Sequence, residues 1–292
     1  MELLAYLKEN ILVLDGAMGS MLLARGMSRD ERSESWDLTH PEDVKSIHRA
    51  YYDAGSNAVL TNTFGANRLY HSDDELREIV FAAVRLAREA AAESGAPQEK
   101  FVALDIGPCG RLIEPLGEFN FDEAKSLFAQ VAGYGAEAGA DFVFVETMYD
   151  LGETRAAVQG AREGCGLPVF MSNTYGQAGR LMTGAGPEEV IALGEELGVS
   201  AIGMNCSVGP EGMAALGEEY LRLTDLPVII KPNAVLPEIV DGNAVYKTTP
   251  EVFAAAVAAL AAKGAKCVGG CCGTTPAHIA ALTKALRGGT EE

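Results

Sequence analysis

The sequence predicts an α/β chain folded as a single (β/α)8 TIM barrel over residues 1–292. Three observations carry that prediction: eight short runs of β-branched and aliphatic residues, a longer amphipathic stretch after each, and helix punctuation at the joins. Such alternation indicates parallel strands covered by helices on both faces. Eight units in 292 residues is the content of one closed barrel, whereas a doubly wound open sheet typically uses fewer. No linker, low-complexity tract or shift of composition marks a second domain.

In chain order the strands are expected at 11–15, 58–63, 102–107, 141–147, 168–174, 201–206, 227–233 and 267–272. The first leads through Gly16-Ala17-Met18-Gly19-Ser20 into a helix, and the polar segment 28–37 reads as an ordered loop after it. Later helices are expected at 41–54, 74–94, 122–138, 152–163, 187–197, 212–223, 250–263 and 276–287. Thr39-His40-Pro41, Thr249-Pro250 and Thr275-Pro276 supply a capping hydroxyl or a proline at helix starts. Gly55, Gly139, Gly198 and Gly264 stand where helices end, just before the next strand.

Hydrophobic residues make up 48% of the chain, enough for a large core. A formal charge of −18 argues against nucleic acid or an anionic membrane surface as partner. No apolar run approaches the ~20 residues of a membrane span. The start, Met1 to Lys8, lacks the basic region and apolar core of a signal peptide. A cytoplasmic protein is therefore expected, with its six cysteines reduced and open to metal or catalytic use.

Barrel chemistry is built at the carboxyl ends of the strands. Cys206 ends strand six, and the adjacent Cys271 and Cys272 end strand eight. Three thiolates converging on one rim suit a zinc ion with its fourth position open to a thiol substrate. Gly269, Gly270 and Gly273 relax the backbone so that neighbouring sulfurs can turn to one ion. The other readings of a Cys-Cys pair are a vicinal disulfide or two ordinary buried thiols. Cys109, Cys165 and Cys267 fall in loops or at the far end of strand eight and are expected to be non-ligands.

Asp15 and Glu146 end strands one and four after apolar residues, as carboxylates for a substrate ammonium or as structural ion pairs. The backbone of Gly16 to Met18, entering a helix, favours a substrate carboxylate. Asn205 and Asn233, at the ends of strands six and seven, complete the candidate substrate contacts. Asn233 is also the expected neutral oxygen nearest the metal, filling its fourth position until a thiol displaces it; capping of its own loop is the alternative. The four histidines read as surface or packing residues, and no Ser-His-Asp or Cys-His arrangement can be assembled from them.

These residues are also where the chain becomes familiar. Leu12-Val13-Leu14-Asp15-Gly16-Ala17-Met18-Gly19, Thr61 to Asn67, Val145-Glu146-Thr147, Met204-Asn205-Cys206 and Gly269 to Pro276 resemble the homocysteine S-methyltransferase family, most closely the homocysteine-binding barrel of cobalamin-dependent methionine synthases. The resemblance implies a (β/α)8 barrel, one Zn2+ per chain on Cys206, Cys271 and Cys272, and homocysteine held by Asp15 and Glu146. It implies that the substrate sulfur, activated as a zinc-bound thiolate, takes a methyl group and leaves as methionine. Those synthases carry folate and corrinoid modules in the same chain, and here the sequence stops after the barrel. The expected donor is therefore methylcobalamin on a separate corrinoid protein. S-methylmethionine or betaine is the alternative, with Trp36 and Tyr149 or Tyr175 facing the cation. Two readings of other classes stay open: a barrel enzyme on a phosphorylated substrate bound at 269–273, and a non-catalytic zinc-binding subunit of a corrinoid methyltransferase complex.

Overall fold

The computed structural model describes residues 2–176, 178–234, 238–240, 243–245 and 248–288. The strands are β1 (Leu12–Val13), β2 (Ala58–Leu60), β3 (Phe101–Ile106), β4 (Phe142–Met148), β5 (Val169–Asn173), β6 (Ala201–Asn205), β7 (Val228–Lys231), a hairpin of β8 (Glu238–Val240) with β9 (Asn243–Val245), and β10 (Cys267–Val268). Eight of them form one parallel sheet in the order β1-β10-β7-β6-β5-β4-β3-β2. A parallel bridge between Leu14 and Ala58 brings its two ends together. Asn57 assists there, donating its N–H to Val13 O at 2.6 Å and accepting the Val13 N–H on Oδ1 at 3.0 Å. The predicted (β/α)8 barrel is the architecture found.

Alternation along each strand divides the core in two. Leu12, Leu14, Ala58, Leu60, Phe101, Ala103, Phe142, Phe144, Phe170, Ala201, Ile229 and Cys267 fill the barrel interior. The intervening residues, among them Val102, Val143, Val145, Met171, Ile202, Met204 and Ile230, pack outward against the helices. Continuing the inward phase toward the carboxyl ends gives Asp105, Glu146, Ser172, Asn205 and Lys231. The same faces that are apolar below become polar above, and this places the site.

An N-terminal helix that the pattern did not anticipate, α1 (Leu3–Glu9), closes the bottom by inserting Leu3 and Leu7 into the interior cluster. The segment expected as a loop at 28–37 instead carries a 3-10 turn (Ser33–Ser35) and opens the short helix α3 (Trp36–Thr39). Helix α9 (Pro210–Leu223) begins two residues early, at a proline suited to a first turn. Thr249 caps α10 (Pro250–Ala262) by accepting the Val252 N–H at 3.4 Å. Thr39 turns its hydroxyl to Ser35 O instead. Gly139 and Gly198 end α6 (Phe121–Ala138) and α8 (Pro187–Leu197) at φ of 96° and 64°, a region that side chains with a Cβ disfavour. Strands one, two and eight leave the ladder earlier than predicted, because their last residues serve the rim rather than the sheet. Among the described residues no helix is long and apolar enough to cross a membrane.

Gly203, inside β6, tests this register. A Cβ there would meet the Ile229 carbonyl oxygen at 2.0 Å. Gly203→Ala should therefore lower stability by about 1–3 kcal/mol, read as a reduced urea midpoint. An unchanged midpoint would contradict the close β6–β7 approach.

Candidate metal centre and substrate pocket

The end of β7 orients both cysteine loops. Lys231 O accepts the Cys206 N–H at 3.0 Å, and Pro232 O accepts the Cys271 N–H at 2.8 Å. Asn233 donates its N–H to Val208 O at 3.0 Å, and Ala234 donates to Cys272 O at 3.0 Å. From the far side, Thr274 Oγ1 donates to Cys271 O at 2.6 Å and accepts the Ala17 N–H at 3.1 Å, tying the loop to strand one. Cys206 and Ser207 take φ of 62° and 59°. Non-glycine residues rarely adopt such angles, which cost of order 1–3 kcal/mol each and cluster at functional sites.

The result is a triad. The sulfurs of Cys206, Cys271 and Cys272 lie within 4.8 Å of one another, and Cys206 Sγ and Cys272 Sγ are 3.8 Å apart. Zinc–sulfur bonds of ~2.3 Å in a tetrahedron place sulfurs about 3.8 Å apart, so the set fits that ion. Hydrogen bonds from Cys271 and then Cys272 pull the Cys206 thiol down, and their bonds to Cys206 push both of those thiols up. Without a cation the triad thus favours one thiolate, and a dication is what allows three. Asn233 is buried, its amide within hydrogen-bonding reach of Cys206, while its Oδ1 has no partner among the described residues. That orphaned oxygen fits a fourth metal contact.

Beside the triad is a cavity of about 230 Å³ lined by Asp15, Gly16, Met18, Asp105, Glu146 and Lys231 as well as the three cysteines. Lys231 Nζ lies 2.9 Å from Glu146 Oε2. Burial opposes the lysine charge, but Glu146, Asp15, Cys271 and Asp105 together raise its pKa. Asp15 accepts the Leu60 N–H on Oδ2 at 2.8 Å, and its Oδ1 is buried without a partner among the described residues. Burial first, against the pull of Lys231, pushes its carboxyl up to about 7.

The structure thus gathers Asp15, Gly16, Met18, Glu146 and the cysteines around one cavity, with Asn233 against the metal side. Asn205 is placed differently. It is fully buried behind the wall, where its Oδ1 accepts from Thr147 N at 2.9 Å and Ser172 Oγ at 2.6 Å. Its Nδ2 donates to Thr147 Oγ1 at 2.7 Å and points toward Glu146 Oε2 at 3.4 Å and Cys271 Sγ at 3.8 Å. Its amide therefore positions the groups that line the cavity. Trp36 and Tyr175 do not face a cationic donor. Trp36 is buried, donates to Glu31 Oε2 at 2.7 Å and stacks on His40 at 3.9 Å; Tyr175 is buried with its hydroxyl 2.5 Å from that of Tyr220. Sequence reading missed Asp105 and the Lys231–Glu146 pair. The signal for Asp105 was the alternation Phe101-x-Ala103-x-Asp105, which turns it inward.

A family model described as homocysteine S-methyltransferase matches residues 12–286. The chain belongs to the homocysteine S-methyltransferase family. It is 35% identical to a methionine synthase of Mycobacterium tuberculosis over 98% of its own length and 25% of that protein. A methionine synthase of Mycobacterium leprae is 34% identical over the same shares. The chain therefore spans about a quarter of the length of these curated relatives. The homocysteine methyltransferase MmuM from Escherichia coli, in its metallated form, superposes with a TM-score of 0.79 at 26% identity, covering 96% of this chain and 98% of that one.

Burying Asp15 has a consequence for stability. Its folded pKa lies above the usual 3.8, so the native state favours its protonated form. That contribution is complete below pH ~4 and is lost as pH rises through about 7. Asp15→Asn should stabilise the ligand-free protein at pH 8 by up to about 4 kcal/mol, with the gain vanishing near pH 4. Thermal unfolding across that range checks it; equal midpoints at pH 8 would refute it.

Proposed function

We propose that this protein methylates homocysteine to methionine at a zinc site made by Cys206, Cys271 and Cys272. The observation that carries the reading is the thiol triad lining the same cavity as the buried carboxyls of Asp15, Asp105 and Glu146. Homocysteine has a thiol at one end and an ammonium and a carboxylate at the other. Zinc bound by the triad would hold a coordinating thiol as its nucleophilic thiolate at neutral pH. Asp15 and Glu146 receive the ammonium, with Lys231 holding Glu146 in place at 2.9 Å. The N–H groups of Gly16 and Met18 receive the carboxylate; the intervening Ala17 N–H is already given to Thr274. Asn233, through its unpartnered Oδ1, would help hold the metal before the substrate arrives. No histidine lines the cavity, so substrate activation falls to the metal-bearing triad.

The methyl donor in this reading is a methylcobalamin carried by a separate corrinoid protein. It is supported by the similarity to methionine synthases. A small donor such as S-methylmethionine or betaine is the second reading, favoured by the near full-length match to the Escherichia coli homocysteine methyltransferase.

Purified protein should hold one zinc per chain and form methionine from homocysteine with one of these three donors. Cys206→Ala, Cys271→Ala and Cys272→Ala should each lose the metal or most of the turnover while circular dichroism stays that of a folded barrel. Full zinc and turnover in all three variants would exclude the site.

Asn233 gives a separate test. Replacing zinc with cobalt makes the coordination shell visible, and Asn233→Ala should change the visible spectrum of the substrate-free protein but not that of the homocysteine complex. Identical substrate-free spectra would mean that Asn233 only holds its loop.

A further inference from the structure

Three carboxyl groups, Asp15, Asp105 and Glu146, face one cavity with the buried Lys231 ammonium among them. Lys231 and Asn205 approach Glu146 through its Oε2. Asp15 Oδ1 and Asp105 Oδ1 are both buried and have no partner among the described residues. Asp105 is 6% exposed on the inward phase of β3, and its backbone is locked by the end of β2: its N–H donates to Thr61 Oγ1 at 3.0 Å and its carbonyl accepts from Thr63 Oγ1 at 2.7 Å. A buried acceptor without a donor costs free energy unless a ligand supplies one.

We propose, resting on the amino-acid thiol reading above, that Asp105 is a third carboxyl contact of the substrate's ammonium, and that with Asp15 and Glu146 it makes the pocket select a primary amine. A primary ammonium offers three N–H donors. The carboxyls of β3 and β4 and the residue after β1 approach from three strands, one acceptor for each donor. In the empty pocket burial, and next Glu146, push the Asp105 carboxyl well up. An ammonium beside it is the charge that favours its ionised form. An amine with one methyl group has lost a donor, and a thiol without an amine leaves all three carboxyls unmatched.

Calorimetric titration of the zinc-loaded protein with homocysteine, N-methylhomocysteine and 4-mercaptobutyrate tests this. N-methylhomocysteine should bind the wild-type protein roughly 10- to 150-fold more weakly than homocysteine, the range for one charge-assisted hydrogen bond. Asp105→Asn should weaken homocysteine by a similar factor and leave 4-mercaptobutyrate unchanged. Equal affinity of the wild type for homocysteine and its N-methyl form overturns the proposal without any variant, should Asp105→Asn fail to fold. So does retained homocysteine affinity in Asp105→Asn, or equal losses for both thiols, which is the signature of a structural role. If the wild type binds homocysteine no better than 4-mercaptobutyrate, the ammonium reading of the whole pocket falls with it.

Discussion

The site depends on the carboxyl end of β7. Four consecutive residues, Lys231 to Ala234, use backbone groups to hold Cys206 on one side and Cys271 and Cys272 on the other. Parallel pairing makes this arrangement available, because β6, β7 and β10 are neighbours and all end at the same rim. The backbone bonds of such an edge are directional and short, so they fix loop positions more tightly than side-chain packing alone. The same segment supplies the Lys231 side chain to the pocket floor and the Asn233 amide to the metal side. The thiol triad and the adjoining cavity therefore share one rigid template.

That template has to support a costly distribution of charge. Three carboxyls, three thiols and the Lys231 ammonium line one small cavity, the carboxyls and Lys231 buried and Cys272 exposed. Left alone, such groups shed charge by retaining protons, and both Asp15 and Asp105 are displaced in that direction by burial. Lys231 offsets part of the cost at Glu146. In the proposed function, a dication at the thiols and an ammonium at the carboxyls would match the remainder. Binding energy would then be preorganised in the protein at the expense of the ligand-free state.

Backbone strain falls in the same place. Thr147, Cys206 and Ser207 are the non-glycine residues with positive φ among those described; Thr147 lies near the carboxyl end of β4, and the other two follow β6. Asn205 spans that gap, filling its amide with the Thr147 backbone and side chain and the Ser172 hydroxyl. Its position lets the placement of Glu146 and the direction of the cysteine loop be set together. Expected as a substrate contact from its place at a strand end, Asn205 is in the folded chain bonded to Thr147 and Ser172.

The sequence by itself determined the barrel, the rim and the chemistry of its main groups. Eight apolar runs alternating with amphipathic helices fix strand count and direction, because parallel strands must be buried on both faces. The meeting of Cys206, Cys271, Cys272, Asp15 and Glu146 at one rim was legible because each stands at the carboxyl end of a strand in one parallel barrel. What only the tertiary structure decided is which groups pair across the barrel. Lys231 reaches Glu146 over 85 residues of chain, and Asn205 reaches Thr147 over 58, separations that no local pattern encodes. Trp36 and Tyr175 read equally well as ligand-facing or core residues, and packing settled them as core. Asp105 stood within reach of a simple alternation argument, yet its unpartnered oxygen emerges only when every neighbouring strand is in place. Periodicity specifies the face a residue occupies; the closure of the ring specifies what stands opposite.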